Sequence, residues 1–149
     1  MVDLAGKIAI GSDHAGFNAK EYILRSLREE GHIFHDFGAF SEESMDYPDA
    51  AHPVAQAVRS GEYRVGILLC GSGNGVAIVA NKYSGIRAAI CWSGEITRLA
   101  RKHNDANIIV LPARFITPED ALGFVRIFLS TDFEGGRHQR RIDKIDQIQ

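Results

Sequence analysis

Cysteine is scarce: the 149-residue chain carries only Cys70 and Cys91. Two thiols cannot make a disulfide framework, and neither belongs to a Cys-x-x-Cys pair, so a reducing cytoplasm is expected. Long apolar runs are missing as well, none approaching the roughly 20 residues that a helix needs to cross a bilayer. Met1-Val2-Asp3-Leu4-Ala5-Gly6 lacks the charged start and apolar stretch of a secretion signal, so neither secretion nor membrane association is expected. There is no excess of positive charge: 17 Lys and Arg stand against 19 Asp and Glu, a formal net charge of -2. A general nucleic-acid binder rests on many basic contacts to phosphate and is disfavoured. With no linker, repeat or low-complexity tract, the 45% hydrophobic and 24% charged composition reads as one globular domain over 1–149.

Hydrophobic periodicity supplies the expected elements. Lys7-Ile8-Ala9-Ile10-Gly11 reads as a short strand, and Ala19, Ile23, Leu24 and Leu27 share one face of a helix from Phe17 to Glu30, stopped by Gly31. A second strand is expected from Ile33 to Phe37, then a polar loop from Ala39 to Tyr47. Asp49 is expected to cap a helix from Ala50 to Arg59, with Pro53 in its first turn. Val65-Gly66-Ile67-Leu68-Leu69-Cys70 is apolar on both faces, as a central strand covered by helices should be. A helix follows to about Lys82, then a strand from Arg87 to Cys91, with Cys91 in the core and Trp92 packing beneath a helix.

Ser93 or Gly94 opens a further helix with Ile96, Leu99 and Ala100 on one face, and Asn107 to Leu111 is the fifth strand. Thr117-Pro118-Glu119-Asp120 is a strong helix start, with a capping threonine and proline at the first position. From Gly136 a terminal helix places Arg137 and Arg141 one turn apart and Ile142, Ile145 and Ile148 on a narrow apolar stripe, which is expected to dock on a partner subunit. Alternating strands and helices imply an α/β protein, a three-layer α/β/α Rossmann-like sandwich around a five-stranded parallel sheet.

Open parallel sheets bind ligands at the carboxyl ends of their strands, where the winding reverses. That rule selects Ser12-Asp13-His14-Ala15-Gly16 and Cys70-Gly71-Ser72-Gly73-Asn74-Gly75, the loops after the first and central strands. Three alternating glycines at the mouth of a helix let several N–H groups converge on an anion. A dinucleotide fingerprint fits poorly, because Gly71-x-Gly73 is followed by Val76 rather than a third glycine. The Gly-Lys-Ser/Thr of a phosphate-binding Walker loop is absent.

Cys70 is either a small buried apolar residue or, beside the loop N–H groups, a nucleophile or base. A cysteine phosphatase would want an arginine six positions later, where Val76 stands, so proton transfer is the better use. His14 and His103 could simply end helices, and Arg137, Arg140 and Arg141 could form a solvated face. Two guanidinium groups one turn apart nonetheless suit a phosphate, and Arg114 after the fifth strand could add a third. No metal site is expected: of the histidines only His32 and His35 are close, and a spacing of three sends them to opposite faces of a strand.

Taken together, Gly11-Ser12-Asp13-His14-Ala15-Gly16, Cys70-Gly71-Ser72-Gly73-Asn74-Gly75, Ala80-Asn81-Lys82, Gly85-Ile86-Arg87-Ala88, Arg101-Lys102-His103-Asn104-Asp105-Ala106-Asn107 and Glu134-Gly135-Gly136-Arg137-His138 resemble ribose-5-phosphate isomerase type B. That wider family includes galactose-6-phosphate isomerase subunits and allose-6-phosphate isomerases. The resemblance covers nearly the whole chain. It implies aldose–ketose isomerisation through an enediolate, without metal or cofactor, in a homodimer or tetramer with active sites at the subunit interface.

By that resemblance Cys70 is the base that moves a proton between C2 and C1 of the open-chain sugar, Ser72 handles the hydroxyl proton, and the N–H groups from Gly71 through Gly73, Asn74 and Gly75 hold the enediolate oxygens. His103 opens the furanose ring, while Asp13, Tyr47 and Asn104 hold sugar hydroxyls. His14, Arg114, Arg137 and Arg141 clamp the phosphate, the last two coming from the partner. Some relatives place a glutamate base just after the glycine loop. Here that position is Val76, which leaves Cys70 as the base. The rival readings are an isomerase of six-carbon sugar phosphates and a non-catalytic phospho-ligand sensor. The sensor is disfavoured by Cys70, Ser72 and His103, none of which phosphate binding requires. An RNA-binding tail is weakened by Asp143 and Asp146.

Overall fold

The computed structural model describes residues 6–148. Five strands, β1 (Ile8–Ser12), β2 (Phe34–Asp36), β3 (Val65–Cys70), β4 (Ala88–Ile90) and β5 (Ile108–Pro112), form one parallel sheet in the order β2-β1-β3-β5-β4. The helices are α1 (Phe17–Glu29), α2 (Pro48–Arg59), α3 (Asn74–Ala80), α4 (Gly94–Asn104), α5 (Pro118–Ser130) and α6 (Arg137–Asp143). This is the expected three-layer α/β/α arrangement.

The period of two along β3 makes the layers. Val65, Ile67 and Leu69 face a core shared with Ile23, Leu24 and Leu27 of α1 and Val125, Phe128 and Leu129 of α5. Leu68 and Cys70 face the opposite core, with Ala51, Val54 and Ala55 of α2 and Val76, Ala77 and Ala80 of α3. Every residue of β1, β3 and β5 is buried, whereas the edge strands β2 and β4 have three residues each and are only partly covered. Covered on two faces, the three central strands carry the continuous apolar runs.

Several local expectations are corrected. The second helix begins at Pro48 with Tyr47 at its cap, so Asp49 lies in the first turn and Pro53 inside the helix. There Pro53 removes an N–H that would have bonded the Asp49 carbonyl. Helix α3 stops at Ala80 rather than Lys82, where the Asn81 amide both donates to and accepts from the backbone of Ala88. Trp92, ahead of α4, is 58% exposed, and Leu99 lies at the surface because Thr97 and Ala100 supply the buried positions of that helix. The terminal helix is shorter than expected, leaving Ile145 and Ile148 beyond its end and exposed. It packs on α4 of its own chain. Among the described residues no helix is long and apolar enough to cross a membrane.

Candidate active site

The chain leaves β1 for β2 on one side and returns to β3 on the other, so the winding reverses between β1 and β3 and a crevice opens at their carboxyl ends. The two loops chosen from the sequence meet there. The Asp13 N–H donates to the Leu69 carbonyl at 3.2 Å. A Cβ on Gly16 would stand 2.7 Å from the Leu69 Cβ and 3.0 Å from its carbonyl oxygen, a closeness that only glycine permits. Buried Asp13 caps a single turn, His14–Gly16, its Oδ1 accepting the Gly16 N–H at 3.1 Å. The Met45 N–H donates to Nδ1 of His14 at 3.1 Å, so the neutral ring carries its proton on Nε2. Asp13, His14, Met45 and Tyr47 line a cleft of about 450 Å³.

On the neighbouring strand Cys70 is 4% exposed, its side chain on the α2/α3 face. The Ala113 N–H donates to the Cys70 carbonyl and the Arg114 N–H to that of Gly71, at 2.9 and 3.0 Å. These bonds tie the glycine loop to the end of β5. The Arg114 side chain lies over Gly71, with its Nη1 only 3.2 Å from where a Cβ would be, so a guanidinium stands against the loop. Gly73 is left-handed, φ +82°, a conformation that turns the chain into α3 and favours glycine. At Gly75 a Cβ would meet the Tyr47 ring at 2.8 Å. The aromatic side chain therefore rests on the third glycine and closes one wall. Ser72 Oγ accepts the Asn74 N–H at 3.2 Å, so one N–H of the expected cradle already has a partner.

His103 and Asn104 end α4, and Asp105 takes a left-handed φ of 45°. Two arginines hold that turn. Arg87 Nε donates to the carbonyls of Asn104 and Asp105, each at 3.0 Å, while Arg101 Nη1 reaches Asp105 Oδ1 at 2.9 Å and the Ala106 carbonyl at 2.7 Å. The imidazole of His138, on α6, stacks on that of His103 at 4.2 Å and 11°, and its Nε2 lies 3.6 Å from Glu134 Oε2. Burial first, then the charges of His103 and Arg137, lowers the His138 pKa against an opposing pull from Glu134. His103, Asn104, His138 and Arg141 line a cleft of about 340 Å³, while Arg137 is exposed in the first turn of α6.

The residues selected from the sequence thus gather in two groups. One is Asp13, His14, Tyr47, the loop from Cys70 to Gly75 and Arg114; the other is His103, Asn104 and Arg141. The two clefts share no lining residue. His138 and Glu134 carry no sequence signal for this contact and come to His103 because α6 folds onto α4. The nearest histidine pair is accordingly not His32 and His35. Ligand atoms of His103, Glu134 and His138 lie within 4.8 Å of one another. Parallel stacked rings, however, direct their in-plane lone pairs side by side rather than onto one ion, a poor donor set for a tetrahedral metal. Burial pushes the Cys91 thiol up to about 11, in keeping with a core residue, and both cysteines are free.

The family model described as ribose/galactose isomerase matches residues 8–145. The chain belongs to that family. It is 44% identical over 143 residues to the ribose-5-phosphate isomerase B of Escherichia coli, covering 96% of each chain. The crystal structure of a ribose 5-phosphate isomerase from Thermotoga maritima superposes with a TM-score of 0.94 at 54% identity, covering 97% of this chain and 99% of that one. A Mycoplasma genitalium ribose-5-phosphate isomerase B, solved with bound ribulose-5-phosphate, gives a TM-score of 0.92 at 41% identity, covering 97% of each.

Proposed function

We propose that the chain interconverts D-ribose 5-phosphate and D-ribulose 5-phosphate in the cytoplasm, as an aldose–ketose isomerase without metal or cofactor. The observation that carries this reading is the placement of Cys70 at the end of a central strand, where its carbonyl begins the glycine loop and the Arg114 guanidinium stands against Gly71. A base, a set of backbone donors and a phosphate-seeking cation then occupy one sheet edge. In this reading Cys70 takes the C2 proton of the open-chain aldose and returns it to C1. Ser72 moves the hydroxyl proton between the two oxygens, so the atoms balance with no net transfer. The N–H groups of Gly71 to Gly75 stabilise the enediolate charge, Asn74 contributing once Ser72 turns to substrate. His103 opens the sugar ring; Asp13, Tyr47 and Asn104 hold hydroxyls.

His14, with its Nε2–H free of the Met45 contact, joins Arg114, Arg137 and Arg141 on the phosphate. Arg141 shares its cleft with His103 and Asn104, so a partner that supplies the terminal arginines supplies those two residues with them. This favours a homodimer in which each site takes the Cys70 loop from one chain and the His103 cleft from the other. Cys70→Ala is the direct test, expected to lower kcat by about 10²- to 10⁴-fold while phosphate still binds. Near wild-type turnover in that variant removes Cys70 as the base. A higher kcat/KM for allose 6-phosphate than for ribose 5-phosphate would reassign the substrate to the six-carbon class.

A further inference from the structure

Lys20, on α1, is 0% exposed, and nothing in the proposed chemistry uses it. Its Nζ donates to Asp36 Oδ2 at 2.6 Å and to the half-exposed Glu21 at 3.0 Å, between the rings of Phe17 at 5.4 Å and Phe40 at 5.7 Å. A buried ammonium is retained only where its donors are satisfied, and here Asp36, at the end of β2, is its principal partner.

The other oxygen of Asp36 holds the turn that follows β2. Oδ1 accepts the Gly38 N–H at 2.9 Å, and the Phe40 ring folds back within 3.2 Å of where a Gly38 Cβ would be. The same turn is zipped to the end of β1: Ser12 N–H donates to the Gly38 carbonyl and Ala39 N–H to the Ser12 carbonyl, both at 2.6 Å. Asp13 and His14 follow Ser12 directly. The loop that begins at this turn returns as Met45, which holds His14 Nδ1, and as Tyr47, which rests on Gly75.

We infer that Lys20 is a positioning residue for the substrate cleft, fixing through Asp36 and the Gly38 turn the wall formed by Asp13, His14 and Tyr47. It touches no reacting atom. Its effect falls first on the groups that hold substrate, whereas the Cys70 end of the glycine loop stays bonded to the end of β5 through the Ala113 and Arg114 N–H groups.

The inference rests on the assignment of Asp13, His14 and Tyr47 as substrate contacts. Lys20→Met in the full-length enzyme is expected to raise KM for ribose 5-phosphate about tenfold, with kcat held within about threefold. The inhibition constant of inorganic phosphate should rise with KM. The His14 ring ¹⁵N shifts should lose the signature of an Nδ1 acceptor, a change that a general loss of stability does not produce. Lys20→Met/Asp36→Asn, which leaves no unpaired carboxylate and keeps an oxygen for Gly38, should recover KM to within about threefold of wild type. If Lys20→Met does not fold, Lys20→Gln carries the same test.

A folded variant with KM within about twofold of wild type and unchanged His14 shifts overturns the inference. So does a double variant no better than the single one. His14→Ala separates the two readings. Unchanged KM there removes the substrate assignment, whereas raised KM there with unchanged KM in Lys20→Met removes only the role of Lys20.

Discussion

The imidazoles of His103 and His138 stack 4.2 Å apart and 11° from parallel, joining the last turn of α4 to the first turn of α6. Two protonated rings in that arrangement would repel, and Arg137 and Arg141 add positive charge, so the His138 pKa is lowered from its ordinary 6.5, chiefly by burial. The unfolded chain therefore binds the proton more readily than the folded one. Stability contributed by neutral His138 is complete above pH 6.5 and is lost as pH falls below that value. Melting temperature should drop between pH 7 and 5. His138→Phe, which keeps a stacking ring without a titrating group, should flatten the drop; an unchanged slope rules out this source.

Gly16 and Gly75 both lie against close neighbours, but the neighbours differ in rigidity. A methyl at Gly16 meets the backbone of a central strand, 3.0 Å from the Leu69 carbonyl oxygen, so Gly16→Ala should cost about 1–3 kcal/mol in denaturant unfolding. At Gly75 it meets the Tyr47 ring, which is 42% exposed and can swing outward. Gly75→Ala should therefore change stability by under about 0.5 kcal/mol yet raise KM. Equal effects of the two substitutions on stability would contradict this distinction.

A site shared between chains predicts complementation. Cys70→Ala and Arg141→Ala homodimers should each be nearly inactive, while unfolding and refolding them together should form hybrids with one intact site. At random assortment about a quarter of wild-type activity returns. No recovery, with hybrids shown by mass, would place both residues in one chain's site.

Cys91 offers a control for the thiol chemistry. Its pKa is pushed up to about 11 by burial, so the folded protein keeps it protonated where an unfolded thiol ionises. Cys91→Ala should leave kcat and KM within about twofold of wild type, and iodoacetamide at pH 8 should label Cys91 only as fast as the protein unfolds. Rapid native-state labelling of Cys91 would refute its place in the core.

Much of this architecture was legible locally. Continuous apolar runs mark β1, β3 and β5 because strands covered on both faces need them, and Thr117-Pro118 marks the start of α5 because its cap and first-turn geometry is set by neighbouring residues. Tyr47 and Asp49 show where local signals fall short. Both stand beside Pro48, whose fixed φ suits the first helical position, so the helix starts there with Tyr47 at its cap and Asp49 in its first turn; the capping preference of Asp49 alone points too far along the chain. Trp92 failed for another reason, since burial depends on which element lies above a position.

For the site, glycine spacing and residue type identified the loops after β1 and β3, because a crossover connection needs conformations that few residues adopt. The chain by itself thus determined an α/β sheet and singled out the Cys70 loop and the arginines at 114, 137 and 141 as candidates. Only the tertiary structure placed His138 on His103 across 35 positions of sequence, buried Lys20 against Asp36, and separated the candidate residues into two clefts. Each of these is set by how helices pack on the sheet and on one another, and no local preference of the residues encodes it.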